Sequence, residues 1–333
     1  LDRNKIKKGF FMHKKYLDNL RLTVVVMVVI YHVIYFYNGT NGTSFMDAYL
    51  YFVYPWFMFI IFIISGMSSY YYLEKHDIKE FIKARTKKLL VPLTIGVIIF
   101  GYLQGYLNMY FANALDNIPA GIPFIIKYLI ICLSGIGVMW TMQMLWLFSI
   151  CLVLIRKRVN IKVNYLGFII LGIMAILCGQ IGNITLIPMY RFGYYGFAYF
   201  VGFFVLSNEE NIKCFENIYF FIICIIFGVF YSMIFLGQNY AIDPLLSNPI
   251  SLVYGYLMSL SLLGIFKKYF NKKEFLLVKD SFGIYLFHYL FICLISLFIK
   301  NYLLSFAVAM LGSVFLYKII KRIPIIRTIL LGE

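Results

Sequence analysis

Apolar runs of near-membrane length follow one another along almost the whole of this 333-residue chain, and they constrain its fold more than any other feature. A run of about 20 apolar residues spans a bilayer core as a helix, because only a helix satisfies its own backbone polar groups in lipid. Ten such spans are predicted, at 22–37, 47–73, 89–111, 139–155, 164–181, 190–206, 217–236, 249–266, 281–299 and 302–319. Only 13% of the residues are charged, against about 25% in soluble domains. No polar stretch is long enough to fold apart. The expectation is an all-α polytopic membrane protein, a bundle of about ten transmembrane helices forming one domain over 1–333.

The net charge of +16 would suggest a nucleic-acid partner in a soluble protein, but here its distribution follows the membrane. With the N-terminus inside, 27 of the 30 Lys and Arg residues fall on the cytoplasmic side, and only Lys127, Arg191 and Lys300 fall outside. That asymmetry is the positive-inside pattern, places both termini in the cytoplasm and leaves no role for nucleic acid. Residues 1–21 carry seven basic residues with no small-residue cleavage site after them, so they read as a cytoplasmic lead-in to a retained helix. Residues 118–137 are also apolar, but an eleventh span there would put Arg156, Lys157, Arg158 and Lys162 outside. Interrupted by Pro119, Gly121, Pro123, Gly135 and Gly137, the segment is expected to be an outer re-entrant or interfacial element.

Few residues remain for chemistry. The six cysteines have no metal-site spacing; five lie in apolar runs and read as small hydrophobes. All fourteen carboxylates fall in loops or at span ends, and none is expected to be buried, which argues against an ion-coupled carrier and against a metal centre. The Asn38-Gly39-Thr40 and Asn41-Gly42-Thr43 sequons read as a tight polar turn. Of four histidines, His13 and His76 sit in charged cytoplasmic surroundings, whereas His32 and His288 lie inside spans. Ionisable residues inside spans mark functional sites by default. Arg21 precedes His32 by eleven residues, so both share one helical face with about 16 Å of axial rise between them. Asp18, one turn before Arg21, can pair with it.

His288, with Tyr285 and Ser281 on the same face, fits a packing network or a channel wall. Arg191 is either a contact for an outer substrate or a partner of Asp47, Asp116 or Asp243. Arg85 and Lys88 project together and can either serve topology or grip a phosphate.

These residues resemble the membrane-bound acyltransferase-3 family over essentially the whole chain. Arg21-x10-His32 matches its Arg/Lys-x10-His signature, and Phe62-Ile63-Ile64-Ser65-Gly66 is similar to its apolar-Ser-Gly pattern. Arg85-x2-Lys88-Leu89-x2-Pro92 resembles an element associated with acyl-donor binding, with Lys88 standing where the family has arginine. The stretch from Ser281 to His288 looks like a recurring segment near the family's C-terminus, and Trp140 with Gln143 fits a looser tryptophan-rich pattern, with Met139 where some relatives have histidine.

The resemblance implies an enzyme, an O-acyltransferase of the bacterial cytoplasmic membrane. It would move an acyl group, expected to be acetyl, from cytoplasmic acyl-CoA to a hydroxyl of an extracytoplasmic or lipid-linked glycan or a similar acceptor. His32 and Arg21 would be catalytic, and Arg85 and Lys88 would bind the donor. Ser65, Trp140, Gln143, Arg191, Tyr285 and His288 would be channel or acceptor contacts. The expected partners are membrane lipids, the acyl-CoA co-substrate and the acceptor; in place of the hydrolase-like domain fused in some relatives, the acyl group would pass to the acceptor directly or to a separate extracytoplasmic protein, and no bound cofactor or metal is expected. A neutral imidazole suits the base role because its ordinary pKa lies near operating pH, and transfer through an acyl-histidine is equally consistent. The rival classes are a transporter of a lipid-linked glycan or small molecule and a membrane scaffold.

Overall fold

A computed structural model describes residues 14–38, 44–99, 101–119, 121–155, 161–184 and 189–332. His13, both sequons beyond Asn38, and the Arg156, Lys157 and Arg158 cluster lie outside the described residues. The described residues form helices and one isolated bridge between Asn183 and Arg191, with no sheet among them.

Among the described residues, six helical segments are long and apolar enough to cross a membrane, and seven if one bent pair counts as a single span. The six are α1 (Lys15–Asn38), α2 (Ser44–Leu73), α7 (Trp140–Ile155, preceded by a 3-10 turn from Gly137), α12 (Pro249–Tyr269), α13 (Ser281–Ser296, preceded by a 3-10 turn at Val278–Asp280) and α14 (Tyr302–Arg322). The bent pair runs through α3 (Ile78–Arg85), a π-turn (Thr86–Leu90) and α4 (Val91–Ile99) into α5 (Gly101–Phe111). Three of the ten predicted spans coincide with shorter apolar helices: α8 (Tyr165–Gln180), α9 (Phe192–Val201, extended by a π-turn to Leu206) and α11 (Ile218–Ile234). Local chemistry sets their ends. Asn164 and Asn217 cap α8 and α11, their side-chain oxygens accepting from Gly167 N–H and Tyr219 N–H. At about 1.5 Å per residue, a 17-residue helix rises about 26 Å, short of a core about 30 Å thick.

The ambiguous segment near 118–137 contains an 11-residue helix, α6 (Phe124–Ser134), packed on α5. It rises only about 16 Å and leaves Phe124, Ile125 and Leu133 widely exposed. The remaining helices are short: α10 (Glu209–Lys213) and α15 (Pro324–Leu331), which packs on α4 and buries Leu330 and Leu331.

The centre of the bundle is α2, with α1, α9, α11 and α12 around it. Gly66 permits the closest approach. A Cβ there would sit 2.0 Å from the Tyr199 carbonyl oxygen of α9, so no other residue fits without moving backbone. The glycine of the apolar-Ser-Gly pattern is thus a packing device.

At the lysine-rich end, buried Asn19 pins α1 to the 270–275 loop. Its amide donates to Phe270 O at 2.8 Å and Lys273 O at 2.7 Å, and its oxygen accepts from Phe275 N–H at 2.8 Å. At the opposite end of α1 one expectation fails: Asp47 is buried. It stands in the first turn of α2 and accepts from Asn38 Nδ2 at 2.8 Å and Tyr240 N–H at 3.2 Å, so local donors compensate its burial.

Candidate functional site

A cavity of about 620 Å³ lies among α1, α2, α3, α7, α13 and α14 at their Lys/Arg-rich ends. Five cations line it: Arg21, Arg85, Lys88, Lys279 and Lys321. Among the described residues no carboxylate does. Deeper in, the wall is Val25, Ile61, Ile64, Met142 and Leu145, with Ser65, Thr141, Ser281 and Tyr285 as its polar interruptions.

Each cation is held by a different element. The Arg21 guanidinium donates to Asp18 Oδ1 at 2.9 Å and to Ser68 Oγ at 3.4 Å, the aspartate expectation realised together with a contact to α2. Arg85 donates to Ser69 Oγ at 2.7 Å and stacks over Phe81, its carbon 5.3 Å from the ring centroid. Ser69 Oγ lies 2.7 Å from the Tyr199 hydroxyl, which is 3.1 Å from Ser149 Oγ, so Arg85 is anchored to α2, α9 and α7 at once. Lys88 lies over Phe282 at 5.9 Å and Lys321 over Tyr317 at 4.6 Å. The π-turn that carries Lys88 precedes Pro92, which has no N–H to offer the Lys88 carbonyl. Trp146 Nε1 of α7 donates to Thr86 Oγ1 at 3.1 Å, fastening that turn to the cavity wall.

His32 does not line this cavity. It is partly exposed, about two turns beyond Val25 on α1, and its Nδ1 is 2.9 Å from Val28 O and 3.2 Å from Nε2 of His288. Tyr31 and Tyr289 meet its ring edge-on, with centroids at 5.1 and 5.5 Å. His288 is fully buried. Of the two sequence alternatives for it, the packing network matches what is seen, an interhelical contact with the other intramembrane histidine, and His288 does not line the cavity.

Tyr285, one turn before His288, stands between the two places. It lines the cavity, and its ring centroid is 6.2 Å from that of His288. Its hydroxyl donates to Val138 O at 2.7 Å. That carbonyl is presented by a turn whose Gly137 has φ +48, a left-handed conformation that favours glycine.

Besides His288, three of the residues expected at the channel do not line the cavity. Trp140 packs among Phe62, Tyr190 and Tyr195. Gln143 accepts a hydrogen bond from the Tyr190 hydroxyl. Arg191 is buried, donates to Leu246 O and stacks over Tyr194 at 4.6 Å. Among the described residues it makes none of the proposed ion pairs with Asp47, Asp116 or Asp243, because the backbone of the 243–248 loop and two aromatic faces hold it instead. The ion-pair reading of Arg191 is therefore not what holds it in the fold.

Sequence reasoning missed Lys279, Lys321 and Thr141 as cavity residues. The two lysines merged into the general inside excess. Thr141 Oγ1 is buried and makes no hydrogen bond among the described residues, a property no sequence pattern announces.

The family model of Acyl_transf_3, described as an acyltransferase domain, matches residues 14–320. No curated protein and no solved structure matches the chain.

Proposed function

The chain belongs to this acyltransferase family, and from that premise we propose that it is an O-acyltransferase using acyl-CoA, acetyl-CoA first among the donors, from the cytoplasmic face. It is an integral membrane protein. In this reading α8, α9 and α11 also cross, at thinned or mismatched bilayer, giving ten crossings of the bacterial cytoplasmic membrane with both termini in the cytoplasm. That topology keeps the lysine-rich ends inside.

The observation that carries the proposal is the cavity lined by five cations and, among the described residues, no carboxylate, together with the apolar side chains Val25, Ile61, Ile64, Met142 and Leu145. Phosphates and a nucleotide suit the cationic mouth, and Arg85 and Arg21 would offer planar donor forks to them. The amide-bearing pantetheine arm would run along Ser65, Thr141 and Tyr285, with the unpaired Thr141 hydroxyl as a hydrogen-bond partner. The thioester would then reach His32, about 16 Å along α1 from Arg21.

His32 would take the proton of an acceptor hydroxyl as that oxygen attacks the thioester carbon. As the C–S bond breaks, its electron pair leaves with sulfur, and the imidazolium returns the proton to give free CoA. The acceptor, a glycan or similar hydroxylated molecule, would arrive from outside, directly or through a separate extracytoplasmic protein. Trp140, Gln143 and Arg191 have no part in the donor path of this reading.

The test is release of free CoA from a panel of acyl-CoAs by the purified protein in nanodiscs, with an envelope extract supplying acceptors. Parent protein and His32→Ala are compared. Release that disappears in a folded His32→Ala protein while acyl-CoA still binds supports the proposal. A parent that neither binds nor consumes any acyl-CoA refutes it.

A further inference from the structure

His288 is completely buried and lines no part of the cavity, yet its Nε2 lies 3.2 Å from His32 Nδ1. The protons of this pair can be assigned from their carbonyl neighbours. A carbonyl oxygen only accepts, so a ring nitrogen within hydrogen-bond distance of one carries the hydrogen. His288 Nδ1 lies 3.0 Å from Ile284 O and 2.9 Å from Tyr285 O, which makes it Nδ1–H and leaves Nε2 with a lone pair. His32 Nδ1 lies 2.9 Å from Val28 O and is likewise Nδ1–H. Its hydrogen is therefore shared between Val28 O and the lone pair of His288 Nε2. The reverse arrangement, His288 Nε2–H donating to a bare His32 Nδ1, would set lone pairs against all three carbonyls.

We infer that His288 is a positioning residue: it holds His32 as the Nδ1–H tautomer and leaves His32 Nε2 as the nitrogen that takes the acceptor's proton. When Nε2 is protonated in the transfer step, the Nδ1–H bond to His288 becomes charge-assisted and strengthens. His288 does not lose its own proton, because both carbonyls continue to hold Nδ1–H. Tyr31 and Tyr289, edge-on to the His32 ring, restrict its remaining rotation. The same nitrogen would carry the acyl group if transfer ran through an acyl-histidine.

The rate consequence rests on the acyltransferase reading, and the tautomer does not, so the two are tested separately. The positions of the ring nitrogens select the variants. Gln at 288 places its amide oxygen where Nε2 stands and keeps an acceptor for His32. Asn is too short to do so and can only replace Nδ1, and Leu fills the space with no acceptor.

His288→Leu and His288→Asn are expected to lower kcat about 10- to 100-fold, by analogy with removing the group that orients a metal-bound imidazole, with acyl-CoA affinity unchanged. His288→Gln is expected to recover most of the rate. Equal rates in the Gln and Asn variants at matched thermal midpoints would overturn the inference, as would an unchanged kcat in His288→Leu. A parallel fall in donor affinity and thermal midpoint, with no advantage for Gln, would reduce His288 to a packing residue and also overturn it. In the parent protein, nitrogen-15 NMR of labelled histidines is expected to show His32 and His288 protonated at Nδ1 and bare at Nε2. A proton on His32 Nε2 in the resting protein would refute the assignment even if no acyl-CoA is ever consumed, an outcome that would sink only the transferase reading.

Discussion

Replacing Gly66 by alanine should weaken the protein and its donor site together, although the residue touches neither cavity nor ligand. The new Cβ would lie 2.0 Å from Tyr199 O, 2.9 Å from Phe203 N and 3.0 Å from Tyr199 C, all backbone atoms of α9 or the turn that extends it. Ordinary contact begins at 3.4 Å, so α2 and α9 must separate by about 1.4 Å, at an overpacking cost of about 1–3 kcal/mol. The same stretch of α2 carries Ser68 and Ser69. A displacement of that size would stretch the 2.7 Å bond from Arg85 to Ser69 to about 4 Å, past hydrogen-bond range. Losing a hydrogen bond to a charged group is worth about 1.5–3 kcal/mol, and 1.4 kcal/mol of that reaching the ligand would weaken acyl-CoA binding about tenfold.

The assay pairs a thermal unfolding scan in detergent with an acyl-CoA binding isotherm. Gly96→Ala is the control, because a Cβ at position 96 meets only the Met139 sulfur at 3.7 Å. It should be neutral or stabilising by up to about 1 kcal/mol through helix propensity. If Gly66→Ala unfolds at the parent temperature and binds acyl-CoA as the parent does, the reasoning from α2–α9 contact to donor site is wrong.

Other expectations concern the cavity itself. Arg85→Ala should weaken acyl-CoA binding about tenfold or more, and Arg85→Lys should recover only part of it, since a point charge replaces a fork; equal affinities for Lys and Arg would contradict the planar contact. Exchanging both Lys279 and Lys321 for Gln should raise the KM for acyl-CoA and leave kcat intact, as read from steady-state rates. Donor affinity should fall between about 0.05 and 0.5 M salt as the cationic mouth is screened, and a flat salt response would count against a phosphate-bearing ligand. Thr141→Val removes a buried hydroxyl that has no hydrogen bond among the described residues, so it should leave stability unchanged or slightly raised. It should still lower kcat/KM if the donor arm uses that hydroxyl.

Much of this arrangement is written in local sequence. The face shared by Arg21 and His32 follows from helical pitch, and the proximity of Arg85 and Lys88 follows from their spacing. The contact between His32 and His288 does not, because 256 positions separate them and only the packing of α13 on α1 brings them together. Lys279 and Lys321 join the cavity for the same tertiary reason. Trp140, Gln143 and Arg191 show the converse: chemically conspicuous residues that the fold uses to pack aromatic rings and tie down a loop. Hydropathy locates the apolar helices, but Asn164 and Asn217 rather than apolar content decide where α8 and α11 begin, so their lengths are the less legible part.

Between Arg21 and His32, α1 contains neither proline nor glycine and is rich in stiff β-branched residues. It is therefore a ruler. Substitutions along the interval change its edges but not its length, whereas inserting a single residue would swing the imidazole about 100° away and lift it about 1.5 Å. Four inserted residues would nearly restore the direction but leave the imidazole about 6 Å too far from the cationic mouth. The spacing in this part of the chain should consequently tolerate drift in residue identity while rejecting insertions and deletions of any size, and a saturating insertion scan across 22–31 would read that out as a gap with no survivors.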